Sequence, residues 1–155
     1  MIDVEVAITI RRPRRDVAAI MFDPQRDAEW IGGVVQVVPS DSGPVRRGTT
    51  LERVSRRLGR RFACVLQVVD HVPDRALELR AQQSTGQHIR YTLEGIPEGT
   101  IARIQSHLRP AGRWRLTTAV HTALLRRAII RDLDRLKWLV EAGRRPRTRT
   151  VAPRS

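Results

Sequence analysis

Chemistry in this chain has few side chains to draw on. Its 155 residues hold four histidines (His71, His88, His107 and His121), one cysteine (Cys64) and one tyrosine (Tyr91). Metal ligation needs several His, Cys or carboxylate groups converging at a defined spacing. No HxH, HExxH or CxxC pattern is present, so neither a metal nor a cofactor is expected. The nucleophile-elbow pattern GxSxG is missing, and so are the phosphate-cradling GxxxxGK(S/T) and GxGxxG loops. Cys64 lies in an apolar run and reads as core rather than nucleophile. What remains is acid–base and hydrogen-bonding chemistry. His121 is the first candidate. Facing an apolar cavity, its charged form would be disfavoured by desolvation, and it could exchange a proton near neutrality. Tyr91 could add a phenolic hydrogen bond and Ser106 a weaker one. His121 reads equally as a hydrogen-bonded structural histidine, and Asp132 as the ion-pair partner of an arginine. Trp30 poses its own question: a large ring precedes Gly32 and Gly33 in DPQRDAEWIGGV, either as a core anchor or as the wall of something that opens.

The elements that must position these residues follow from periodicity. Val4, Val6, Ile8 and Ile10 alternate with Asp3, Glu5, Ala7 and Thr9, the mark of a half-buried strand. Val17, Ile20 and Met21 then recur at helical spacing after Pro13. Asp23 can cap and Pro24 can open a second short helix that runs toward Trp30. Strands are expected at 34–38, 49–58, 62–72, 76–82, 88–96 and 101–108, separated by Gly/Pro turns, which argues an antiparallel meander. In 88–96, Ile89, Tyr91 and Leu93 share one face; in 101–108, Ala102, Ile104, Ser106 and Leu108 do. Neither face of 49–58 is clean. Residues 114–142 contain no Gly or Pro and predict one helix of about 40 Å. Leu125, Ile129, Leu133, Leu136 and Val140 make its apolar stripe; extended backward, the stripe meets Thr118, His121 and Thr122.

A straight helix laid across a twisted sheet must part from it at one end. A dry core would place Leu where Thr118, His121 and Thr122 stand, so a pocket is expected there. The expected ligand-binding residues are Trp30, Tyr91, Ile104, Ser106, Thr118, His121, Thr122 and Leu125, with His121 and Tyr91 the candidates for catalysis.

Charge and processing set outer limits. The formal charge is +13, but five arginines fall in 144–155 and the rest of the chain carries +8. Lys137 is the only lysine among 29 basic residues, a skew that coding bias can impose without any ligand. MIDVEV lacks the positive charge and apolar run of a signal peptide, and no stretch approaches the roughly 20 apolar residues of a membrane span. A cytoplasmic protein without stable membrane insertion is expected, monomeric or homodimeric. Residues 144–155, rich in Arg, Thr and Pro, are expected to form a disordered basic tail.

The order of elements over residues 2–143 resembles the START-like superfamily, also called SRPBCC or polyketide cyclase/dehydrase-like proteins. The resemblance rests on VEVAITIRRPRRDVAAIMFDPQRDAEWIGGVVQV, VVDHVPDRALEL and RDLDRLKWLVEAG, in that order. It implies an α+β helix-grip fold: a curved antiparallel sheet wrapped around a long C-terminal helix, with two short helices after the first strand. It implies a ligand-binding domain over 1–143, with DPQRDAEWIGGV near the cavity mouth and Trp30 as a wall or gate.

Three functions fit. The first is binding of a small hydrophobic or amphipathic molecule between the sheet and the helix. The second is a cyclase, aromatase or dehydratase of the same fold using His121 and Tyr91, although no motif fixes catalytic positions. The third is a basic protein docking on RNA, ribosome or anionic membrane through the tail and the hairpin SRRLGRR at 55–61. Nucleic acid is disfavoured because the hairpin lacks the interleaved aromatics that stack on bases.

Overall fold

The computed structural model describes residues 1–82, 86–109 and 118–143. Seven strands form one antiparallel sheet: β1 (Ile2–Ile10), β2 (Val34–Pro39), β3 (Thr50–Arg57), β4 (Arg60–Val72), β5 (Ala76–Ala81), β6 (His88–Ile96) and β7 (Gly99–Leu108). Their order across the sheet is β1-β7-β6-β5-β4-β3-β2. The meander is as expected, and the first strand joins its last, with Val4 opposite Ser106 and Val6 opposite Ile104. Irregular registers between Val34 and Gln36 and between Val68 and Asp70 bend β2 and β4. The sheet is curved, and a long helix grips it.

Because β1 and β2 lie at opposite edges, residues 11–33 must cross the sheet from side to side. They do so as α1 (Arg14–Met21), a 3-10 turn (Pro24–Arg26) and α2 (Asp27–Trp30). The Asp23 carboxylate accepts from the Gln25 backbone N–H at 3.1 Å, which is the expected cap, and Pro24 opens the turn where a missing N–H costs nothing. Gly33, at φ +83°, ends the crossing in a conformation that disfavours a side chain.

The long helix α3 is described over Thr118–Ala142; the expected start at 114 lies outside the described residues, as does the basic tail at 144–155. Its C-terminal half is tied down. Lys137 Nζ donates to the Thr9 carbonyl at 2.8 Å, and the Arg11 backbone N–H donates to Glu141 Oε1 at 2.9 Å. Its buried residues are Ile129, Leu133, Leu136 and Val140, packed with Leu51, Leu66, Leu77 and Leu79 of the sheet. Burying one such side chain stabilises by roughly 1.5–3 kcal/mol. Between 118 and 128 no helical residue is fully buried; there only half-buried Leu125 among the apolar side chains packs on the core, and the second half of the helix seals it.

Candidate functional site

Where helix and sheet part, a cavity of about 480 Å³ opens. The sheet contributes Ile89, Tyr91, Ile104 and Ser106, which alternate inward on β6 and β7, and Cys64 and Leu66 from β4. The middle of α3 contributes Leu125, Ile129 and Asp132, and the loop after α2 closes one side with Trp30 and the Gly32–Gly33 pair.

At the inner wall sits a polar cluster that sequence reasoning did not assemble. Arg53 projects inward from β3, and its Nη2 donates to Asp27 Oδ2 at 2.7 Å; the two side chains are only 11% and 3% exposed. The Arg53 guanidinium also lies close enough to the Tyr91 hydroxyl to interact with it electrostatically, and the phenolic proton is available to donate. Trp30 is fully buried and packs edge-on against Tyr91, with ring centroids 5.7 Å apart. Trp30 Nε1 and Arg53 Nε are buried donors with no hydrogen-bond partner among the described residues.

Burial sets the protonation of this cluster. It pushes the Asp27 carboxyl up to about 6 against the pull of Arg53. It pulls the Arg53 guanidinium down, but Tyr91 and Asp27 outweigh it and leave the group above its ordinary value. It pushes the Tyr91 phenol up to about 12 and the Cys64 thiol above its usual range. Arg53, Tyr91 and Trp30 therefore present N–H and O–H donors at neutral pH. At the mouth, burial also raises the Asp132 carboxyl, opposed by the Gly32 N–H, Arg135, Arg53 and Arg57. Asp132 Oδ1 accepts from the Gly32 N–H at 2.9 Å, and Arg135 Nη1 donates to the Trp30 carbonyl at 3.3 Å. Both contacts hold the Trp30–Gly33 loop against α3.

Of the eight expected ligand-binding residues, Trp30, Tyr91, Ile104, Ser106 and Leu125 line this cavity. Thr118, His121 and Thr122 do not. His121 is exposed to solvent and stands outside this cavity. At 100° per residue it stands about 90° from the centre of the buried stripe, so the backward extension overshoots the face. Thr118 and Thr122 lie on the stripe and are half-buried, but the cavity sits against the middle of the helix; Thr122 Oγ1 donates to the Thr118 carbonyl at 2.7 Å instead. The other histidines lie elsewhere: His71 packs edge-on against Phe22, His88 bonds Glu78, and His107 bonds Asp3.

Residues 1–141 match the family model described as polyketide cyclase / dehydrase and lipid transport. The chain belongs to this family. Its members' fold recurs in solved structures at low identity. A Staphylococcus aureus protein of unknown function superposes with a TM-score of 0.75 at 12% identity, over 91% of this chain and 94% of that one. The di-domain ARO/CYC StfQ of the steffimycin biosynthetic pathway gives 0.70 at 16%, over 91% of this chain and 49% of that one. DynU16, encoded in the dynemicin biosynthetic locus, gives 0.69 at 21%, over 93% and 49%. The family member described here thus spans about half of each of these last two proteins. No curated protein matches its sequence. Among its described residues, no helix is long and apolar enough to cross a membrane.

Proposed function

We propose that the protein encloses one small, largely apolar molecule in the cavity and holds an oxygen-bearing end of it against Trp30, Arg53 and Tyr91. The observation that carries this reading is the pair of buried, unpartnered donors, Trp30 Nε1 and Arg53 Nε, on residues that line a hollow of mixed apolar and polar walls. A buried N–H without an acceptor is costly, and a guest carbonyl, carboxylate or hydroxyl oxygen would relieve it. The volume of about 480 Å³ lies within the range of small-molecule sites, roughly 300–1,000 Å³. Ile89, Ile104, Leu125 and Ile129 supply the apolar walls. Native mass spectrometry of the purified protein tests the proposal. A bound small molecule is expected in the wild type and should be lost in Leu125→Trp, which fills the cavity from its half-buried wall. Equal occupancy in that variant would defeat the proposal.

The same donors favour a second reading, an enzyme acting on a carbonyl compound. Arg53 and Tyr91 would stabilise an enolate oxygen as charge develops there. Asp132, a cavity-lining carboxylate whose pKa is raised by burial, would take the α-proton. In this reading Tyr91→Phe lowers turnover and His121→Ala leaves it unchanged.

A further inference from the structure

The β3–β4 hairpin carries three features that its own folding does not reward. The first is its apex. Leu58 and Gly59 form a two-residue turn with φ of +50° and +75°. Such turns favour Asn-Gly or Asp-Gly, because the left-handed region penalises a bulky side chain. Leu58 takes that penalty while standing 103% exposed, so its side chain gains no packing in return. The second is charge. The register sets Arg56 opposite Arg61 and Arg57 opposite Arg60, like charge facing like charge. None of the four has an ion-pair partner among the described residues, and no acid occurs between Glu52 and Asp70. The third is Phe62, 54% exposed and paired with Ser55.

We propose that this hairpin docks on an anionic lipid surface, with Leu58 and Phe62 entering the headgroup–acyl boundary and Arg56, Arg57, Arg60 and Arg61 meeting lipid phosphates. An aliphatic apex ringed by arginines is the combination that an anionic bilayer accepts, since it offers charge to the ring and hydrocarbon to the tip. A nucleic acid offers the charge and a partner for the Phe62 ring, but nothing for the aliphatic Leu58 at the tip. Placement gives the docking a use. The root of the same hairpin lines the cavity through Arg53, Ser55, Arg57 and Cys64, so a docked hairpin sets the cavity wall at the lipid surface.

The test is flotation of the full chain with phosphatidylcholine vesicles made with and without phosphatidylglycerol, in moderate salt. Wild type should float only with the anionic vesicles. Arg56→Gln/Arg60→Gln/Arg61→Gln keeps cavity-lining Arg57 and should weaken binding about 100-fold, at about fivefold per arginine. Leu58→Asn suits the left-handed turn, so it should melt no lower than wild type, yet bind the anionic vesicles about fivefold more weakly. Absence of wild-type flotation overturns the proposal. Unchanged binding in the triple variant also overturns it, by assigning the attraction to the five arginines of 144–155. Unchanged binding in Leu58→Asn removes the insertion step and overturns it too. Retention of a single-stranded RNA that the triple variant loses, without vesicle binding, identifies nucleic acid as the partner instead.

Discussion

Removing the Arg53 guanidinium is the sharpest perturbation of the site. In Arg53→Met the Asp27 carboxylate, 3% exposed, loses the donor that now lies 2.7 Å away. Breaking a buried ion pair from one side costs about 3–5 kcal/mol, because the partner stays buried and uncompensated. For a chain of this length 1 kcal/mol moves the melting temperature by about 2–4 °C, so a fall of about 6–20 °C is expected at pH 8. The loss must depend on pH. Burial already raises the Asp27 carboxyl to about 6 with Arg53 present, and removing Arg53 removes what pulls it down. A carboxyl whose folded pKa exceeds its unfolded one stabilises the fold when protonated, below the unfolded value. That contribution is lost as pH rises through the folded pKa. The penalty in Arg53→Met should therefore be largest at pH 8 and shrink toward pH 5, where Asp27 takes up its proton. Thermal melts of wild type, Asp27→Asn, Arg53→Met and the double variant, at both pH values, give the cycle. The double variant should recover about 2–3 kcal/mol over the sum of the singles at pH 8. Additive losses, or a penalty equal at the two pH values, refute the buried pair.

Three further outcomes follow from the same geometry. If the proposed guest is held by Tyr91, Tyr91→Phe should keep the fold and lower affinity for that guest by about fivefold to tenfold, the size of one hydrogen bond, as read by titration calorimetry. His121→Ala should change neither affinity nor melting beyond about 0.5 kcal/mol, since the ring is exposed and lies outside the cavity. Gly99→Ala should fail to fold or lose at least about 3 kcal/mol by urea melt, because its Cβ would lie 2.2 Å from the Ile10 carbonyl oxygen.

Strands with one clean face are legible from sequence because alternation survives whatever the other face does; β6 and β7 place Tyr91, Ile104 and Ser106 correctly inward on that basis. The muddle in β3 has a physical cause. Its inward row reads Leu51, Arg53, Ser55 and Arg57, and an arginine there breaks the apolar signal. Only the pairing of β3 with β4, where Leu51 faces Leu66 and Arg53 faces Cys64, shows which row is buried. Asp27 was within reach: it stands three residues before Trp30, on the same side of a short helix, and a carboxylate beside a buried ring needs a partner. The helix stripe was legible where it is aliphatic. Of the three polar residues that extend it backward, only His121 falls off the face; Thr118 and Thr122 lie on it but beyond the cavity, because periodicity gives direction but not how far along the helix the sheet still follows.

Whether Trp30 is core or wall turns out to be one question with both answers. The ring is fully buried against Tyr91, yet Trp30 stands among the residues around the cavity and its Nε1 has no partner among the described residues. The same double character marks the residues around it. Stability does not explain a buried Asp27–Arg53 pair, since well-packed apolar residues of similar volume often serve the fold equally well or better. Nor does it explain an inward arginine with an unsatisfied Nε when the neighbouring positions, Leu51 and Leu66, are aliphatic and sealed. The aliphatic layer of Leu77, Leu79, Leu133 and Leu136 already holds the sheet to the helix without them. What the polar cluster adds is a set of donors, on Trp30, Arg53 and Tyr91, gathered on one side of a hollow with mixed walls. On the proposed function, a guest with an oxygen at one end is preferred, because a wholly apolar guest of equal size would leave Trp30 Nε1 and Arg53 Nε unpaired.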